Sequence, residues 1–446
     1  MNNIRMAFGL LLVVMTGLWL LAESLWPQPL TYFSFRTVFV QYSGVIAVAM
    51  MSVAMVLAVR HLWLEQPLGG LDKMYRLHKW LGVTALMVAT LHWWWAKGTK
   101  WIVGWGWLVR PERGRGQGAG PQPSDLEQWL RTQRGLAESI GEWTFYAVVI
   151  LLAIALVQRI PYRVFRKTHT WLALGYLLLA YHTLVLTKFD YWAQPIGWVL
   201  LLLIVAGCVS ALLVLLRRVG AGRKVKGVIE YLQTYPGVKV IEGVIRLEQG
   251  WPGHRPGQFA FVTTSKHEGA HPYTIASAWQ AESATLTFIV KRLGDWTGQL
   301  EQWLHVGMPV TVEGPYGCFD FTGQQSRQIW IGAGIGITPF VARMKYRQTH
   351  PDPTPVDLFH CTADVDQAAL EKLTADANAA GVNLHLVITP HDGRLTAEQI
   401  RAAVPHWREA SVWFCGPAAF GDNLRRDFVR QGLPAKAFHQ ELFQMR

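Results

Sequence analysis

The sequence predicts a multi-domain chain: a six-helix transmembrane bundle, then an antiparallel β domain, then an α/β domain. Three observations carry this. Long apolar runs crowd the chain before residue 217. Short alternating strands separated by Gly/Pro turns begin after Gly220. From about Gln328, strands alternate with helical stretches, the order of a parallel βαβ sheet.

A helix that spans a bilayer needs roughly 20 apolar residues, and six runs qualify. Runs 6–26, 38–59, 168–187 and 191–216 are the clearest; run 80–96 is short unless it starts near Met74, and run 143–158 begins around Gly141. Run 6–26 is too long and apolar for a cleaved leader, and no small-residue cleavage site follows it. Basic residues set the orientation. Arg60, Lys73, Arg76 and Lys79 follow the second run, Arg159, Arg163, Arg166 and Lys167 the fourth, and Arg217, Arg218, Arg223, Lys224 and Lys226 the sixth. The positive-inside rule then puts both termini in the cytoplasm of a multi-pass inner-membrane protein. Loop 97–140 resists this, with Lys97, Lys100, Arg110, Arg113, Arg115, Arg131 and Arg134 on the opposite side. It is long and partly balanced by acids, where the rule is weaker.

Composition narrows the function. The net charge of +12 admits nucleic acid as a partner, but the basic residues flank apolar segments rather than interleaving with aromatics in the soluble half, so no nucleic-acid partner is expected. Cys208, Cys318, Cys361 and Cys415 have no CxxC spacing, which disfavours a zinc site, a cysteine-ligated cluster or a disulfide scaffold.

Ionisable residues inside a bilayer are costly and mark functional candidates. His78 and His92 lie 14 residues apart in one apolar run, and His169 and His182 lie 13 apart in another. At ~1.5 Å rise per residue each pair spans about 20 Å. Each helix therefore offers one imidazole near each membrane face, enough to clamp two stacked haems of b type between paired histidines. Depth pairs His78 with His169 inside and His92 with His182 outside. A lone histidine of this kind has a plainer reading as a hydrogen-bonded packing residue. A 13-residue step misses the starting face of an ideal helix by about 140°, so a local distortion or a tilt of this helix is expected, with Gly175 as the place to look. Tyr176 is read as core packing, or as an aromatic stepping stone between the haems.

The soluble half carries further motifs. Pro256-Gly257-Gln258-Phe259 turns into a strand, and His271-Pro272-Tyr273-Thr274 follows; an aromatic ring and a hydroxyl side by side suit a flavin. Lys291, Gly294, Trp296 and Thr297, then Gly314 in Gly-Pro-Tyr-Gly, come next. Gly294 and the backbone after it are expected near a pyrophosphate, with Lys291 or Arg292 balancing its charge. Strand Ile329–Ile331 leads into Gly332, Gly334 and Gly336, with Thr338 and Pro339 opening a helix. That is a strand–turn–helix context for a dinucleotide. Cys415-Gly416-Pro417 ends a later strand. Each motif alone is also compatible with an ordinary turn.

Together these residues resemble the superfamily of transmembrane ferric reductases and NADPH oxidases, with a ferredoxin–NADP reductase-like module, over nearly the whole chain. The resemblance implies a haem domain over 1–218, an FAD-binding β-barrel over 222–323 and an NAD(P)-binding domain over 325–446. Tyr273 stands where the family has Phe and should still stack on the flavin; Thr274 and Cys415 take the positions beside the reacting atoms. Phe443 resembles the near-terminal aromatic that covers the flavin. The implied cofactors are FAD, two haems b and NADH or NADPH. The implied route runs from NAD(P)H through FAD and the haems to an acceptor outside.

Ferric iron in a chelate is the first reading of that acceptor. Oxygen is the second: oxidases of the family carry a further histidine one turn beyond the outer ligand, where this chain has Ala96, and Arg36 fits either reading. A periplasmic protein or a quinone is the third. Trp93, Trp94, Trp95, Trp101, Trp105 and Trp107 could dock such a partner, although an interfacial belt against membrane lipid explains them more simply. Asp364, with no base in Cys361-Thr-Ala-Asp364, tilts the nucleotide toward NADH; Arg394 is the alternative phosphate partner.

Overall fold

A computed structural model describes residues 2–109, 123–157, 159–265, 267–294, 296–323 and 325–441. Phe443 lies outside the described residues. The chain divides into two compact units, Met1–Leu68 with Lys73–Val219, and Gly69–Asp72 with Gly220–Arg446.

The first unit is helical: α1 (Asn2–Ala22), α2 (Tyr32–Ala58), α3 (Leu62–Leu68), α4 (Leu71–Trp93), α5 (Thr99–Gly104), α6 (Asp125–Leu156), α7 (Tyr162–Leu186) and α8 (Pro195–Leu215). Five of these, α1, α2, α6, α7 and α8, are long and apolar enough to cross a membrane. The expected count of six is therefore not confirmed among the described residues. The exception is α4, which has 23 residues but carries Asp72, Lys73, Arg76 and Lys79 in its first half. At ~1.5 Å per residue it still reaches about 35 Å, so charge rather than length sets it apart.

Two further expectations change. The helix expected from about Gly141 starts at Asp125, where Ser124 Oγ accepts the Glu127 amide and Asp125 and Glu127 suit the positive helix end. Much of loop 97–140 is thus helix, and a π-helical turn, Trp94–Gly98, joins α4 to α5. Of the local distortion or tilt expected around Gly175, the distortion is missing: α7 runs unbroken from Tyr162 to Leu186. Gly175 serves packing instead, since a Cβ there would sit 2.9 Å from Val148 Cγ2 on α6.

The second unit holds two sheets. The first contains β1 (Lys224–Tyr235), β2 (Val240–Leu247), β3 (Phe259–Thr263), β4 (His271–Thr274), β5 (Thr285–Lys291) and β6 (Pro309–Tyr316), with α9 (Leu300–Trp303) before the last. Its order is β4-β3-β6-β1-β2-β5, antiparallel throughout. The expected barrel is not a fully closed ladder: β4 and β5 are the edge strands, and their sides of the sheet meet at one bridge, Ile275 to Phe288. Val225, Ile229, Ala260, Val262, Leu286 and Val312 fill its interior.

The second sheet is parallel, ordered β11-β10-β7-β8-β9. It comprises β7 (Arg327–Ala333), β8 (Val356–Thr362), β9 (Asn383–Ile388), β10 (Ala410–Cys415) and β11 (Phe438–Glu441). Its helices are α10 (Thr338–Thr349), α11 (Gln367–Ala379), α12 (Thr389–Asp392), α13 (Ala397–Ala403) and α14 (Ala418–Arg430). Alternate residues of each strand enter opposite cores. Ile329, Ile331 and Phe414 pack with Ile400, Leu424 and Phe428; Trp330, Trp413 and Cys415 pack with Phe340, Met344 and Leu373. Strand order reverses between β7 and β10, which opens a crevice at their carboxyl ends.

Candidate functional site

The four histidines come together in two pairs across α4 and α7. The rings of His78 and His169 lie 5.9 Å apart between centroids, and those of His92 and His182 lie 6.4 Å apart. An imidazole nitrogen about 2 Å from a metal on each face would put ring centroids roughly 6 Å apart. Both pairs line one cavity of about 450 Å³. Its walls are mostly apolar, while Arg36, Lys97, Lys100, Arg134, Glu138 and Glu142 also line it.

The ring nitrogens are set for ligation. His78 Nδ1 donates to the Ala54 carbonyl at 2.9 Å, His92 Nδ1 to Val40 at 3.0 Å, and His182 Nδ1 to Ala137 at 2.8 Å. A carbonyl can only accept, so the neutral rings hold their proton on Nδ1 and leave Nε2 as a bare donor, the arrangement that metal-ligating histidines use. His169 Nδ1 is buried without a hydrogen-bond partner, and its ring lies against Phe165. The donor set and spacing fit haem iron.

Tyr176 lies between the two histidines of α7, buried, with its hydroxyl 2.8 Å from Ser52 Oγ and over Gly207. Arg36 is engaged by the π-helical turn, donating to the carbonyls of Trp95 at 3.1 Å and Ala96 at 3.0 Å.

In the soluble unit, β4 carries His271, Pro272, Tyr273 and Thr274. The His271 ring stacks on Trp296 at 5.9 Å and on Tyr273 at 6.4 Å. Burial pushes the Tyr273 phenol above its ordinary value, so it is neutral and able to donate a hydrogen bond. Thr274 is buried and pairs with Phe259. A Cβ on Gly314 would sit 3.3 Å from the Trp251 ring.

Two residues expected beside a flavin pyrophosphate are engaged elsewhere. The Gly294 amide donates to Thr297 Oγ1 at 3.0 Å. Lys291 Nζ donates to Asp364 at 2.7 Å, in a cavity of about 110 Å³ that Gly334, Ile335, His360 and Thr362 also line. Lys291 thus faces the glycine-rich turn of the second sheet. That hydrogen bond holds the Asp364 carboxyl below the usual carboxylate range. Arg394 is not among the residues that line this cavity. Close by, Lys372 bridges both carboxylate oxygens of Glu242, at 2.7 and 2.6 Å.

The turn itself is tight. Gly334 has φ +55, and a Cβ on Gly336 would collide with the Cys415 carbonyl. Thr338 Oγ1 donates to Ile335 at 2.8 Å, and Pro339 sits in the first turn of α10. Cys415 pairs with Gly332 on one side and Glu441 on the other. Its thiol is fully buried, and burial, with the Glu441 charge, pushes it well above its ordinary value. Gly416 lies against Ala333, and Pro417 caps α14. Glu441, a buried acid beside Cys415, was not singled out from the sequence; an acid within His439-Gln440-Glu441 was its only signal there.

Comparison with known proteins follows this layout. Residues 43–180 match the family described as ferric reductase like transmembrane component, and residues 233–319 match an FAD-binding domain. The heavy chain of a superoxide-generating NADPH oxidase from Dictyostelium discoideum is 26% identical over 324 residues, 64% of this chain and 60% of that protein. Ferric reduction oxidase 5 of Arabidopsis thaliana is 38% identical over 77 residues, 16% of this chain and 11% of that one. The chain spans little more than half the length of curated relatives it matches, 60%, 56%, 56% and 52% for four of them. A flavohemoglobin structure from Malassezia yamatoensis has 17% identity and a TM-score of 0.49, covering 90% of this chain and 96% of that one. The two matched stretches put a ferric-reductase-like transmembrane component before an FAD-binding domain. In these stretches the chain is similar to transmembrane ferric reductases and NADPH oxidases.

Proposed function

We propose that this chain carries electrons from cytoplasmic NAD(P)H through FAD and two b-type haems to a ferric chelate outside the inner membrane. One NAD(P)H would reduce two ferric ions and release one proton. Both termini would lie in the cytoplasm, with a haem domain over 1–218, a flavin domain over 222–323 and a nucleotide domain over 325–446.

The observation that carries the proposal is the pairing of His78 with His169 and of His92 with His182 at spacings that suit bis-imidazole ligation. When bound, flavin would accept a hydride and release electrons singly, and the haems would relay them. The protein's part is placement. Tyr273 and Thr274 would hold the flavin ring and its redox-active edge; Gly332, Gly334, Gly336 and Lys291 would receive the nucleotide diphosphate. Cys415, kept as a neutral thiol by burial, would shape the nicotinamide pocket rather than act as a nucleophile.

A second reading, oxygen as acceptor, is favoured by the similarity to the superoxide-generating protein. Against it, the residue one turn beyond His92 is Ala96, and Arg36 is bound into the π-helical turn there. A third acceptor, a periplasmic protein, would find Trp105 and Trp107 exposed. Purified, haem- and FAD-loaded chain given NAD(P)H with either ferric citrate or oxygen separates these. Ferrous iron should form at two per nucleotide; superoxide at near-stoichiometric yield would overturn the ferric reading, and failure with both would favour the protein acceptor.

A further inference from the structure

The carbonyls that anchor the histidines follow a pattern that points to residues outside the ligand set. Val40 and Ala54, the acceptors for His92 and His78, lie 14 residues apart on α2, the same step that separates the two histidines on α4. The helices therefore run past each other in register, with one carbonyl for each ring. Ala137 on α6 does the same for His182.

In an α-helix the carbonyl of residue i faces the amide of residue i+4, so a ring reaching that carbonyl must pass the side chain at i+4. At all three anchors that side chain is small: Gly44 follows Val40, Ala58 follows Ala54, and Gly141 follows Ala137. The space is used. A Cβ on Gly44 would sit 3.3 Å from His92 Cε1, and one on Gly141 would overlap the His182 ring at Nδ1.

We propose that Gly141, and to a lesser degree Gly44, are positioning residues for the outer histidine pair: each leaves the recess through which a ring reaches its carbonyl. Gly141 stands on α6, a helix that supplies no ligand, and so makes α6 a determinant of the outer haem alone. This rests on reading the histidines as haem ligands. Losing the Ala137 hydrogen bond would make the His182 ring a weaker electron donor and favour the reduced iron.

The test uses the full chain loaded with haem and FAD. Gly141→Ala is compared with Gly44→Ala and with Gly17→Ala on α1, where a Cβ meets nothing within 4 Å and the residue does not line the histidine cavity. Pyridine haemochrome gives haem per chain, a redox titration gives each midpoint, and flavin bleaching by NADH reports the soluble unit. Gly17→Ala should keep two haems. Gly141→Ala should fall toward one, with flavin bleaching intact. Gly44→Ala should keep both, with one midpoint moved to a more positive potential. Gly141→Ala with two haems and unchanged midpoints would overturn the proposal. So would equal loss of both haems while flavin bleaching persists. A wild-type chain that binds no haem would overturn the haem reading itself.

Discussion

Each of the four histidines is a side chain that a bilayer penalises, and three turn Nδ1 to a backbone carbonyl while Nε2 stays bare. Replacing His182 by Ala should remove one haem and leave NADH-driven flavin reduction intact, as read by haem content and flavin bleaching. Asp364 makes a second prediction. Its carboxyl, ionised by contact with Lys291, would repel a 2′-phosphate, so NADH should be preferred. Asp364→Asn should narrow the NADH/NADPH ratio of kcat/KM by roughly tenfold, about 1.4 kcal/mol; a wild-type preference for NADPH would contradict this. The thiols give a pH dependence. Burial pushes Cys361 up to about 11, above its unfolded value of about 8.5. The neutral thiol is therefore favoured by folding. That stability is fully present below about pH 8.5 and lost as pH rises toward 11, at about 1.4 kcal/mol per pH unit. Cys361→Ala should flatten the fall of Tm with pH in that window. Legibility at this scale followed chemistry. Histidine in an apolar run is rare enough to stand out, whereas the Lys291–Asp364 pair joins the end of β5 to the bend after β8 and Glu441 is one acid in a short strand. Nothing in the sequence distinguishes Gly141, whose role depends on a ring from another helix.

Among the elements, most strands and helices were legible because their hydrophobic periods are strong. Strand Ile329–Ile331 is the core of Arg327–Ala333, and the helix expected from Pro339 opens at Thr338. The failures have physical causes. α6 extends 16 residues before Gly141 because its first half is polar and held by a cap, not by an apolar face. α4 reads as a span only in its second half because its first half is charged. Gly175 looked like a break because a glycine in a helix usually costs stability, yet here it lets α7 approach α6. An unbroken α7 makes a direct prediction. Inserting one alanine after Gly175 rotates the following helix by about 100° and should separate His182 from His92. One haem should be lost, measured by haem content, whereas a flexible hinge at Gly175 would absorb the insertion and keep both.

For the molecule as a whole, the order of parts was legible: membrane helices, an antiparallel sheet, then a parallel sheet with its crevice at the carboxyl ends. Barrel closure was not, since it depends on how β4 and β5 approach each other, which their short sequences do not encode. The electron route proposed is continuous from nicotinamide to the far side of the membrane. Its most direct test is anaerobic addition of NADH to the haem- and FAD-loaded chain in sealed liposomes with ferric citrate trapped inside. Only chains with the nucleotide module outward respond. Two haems per chain should become reduced and ferrous iron should then accumulate within the liposomes, with His182→Ala stopping the iron but not flavin reduction. Iron reduction by His182→Ala at the wild-type rate would contradict it.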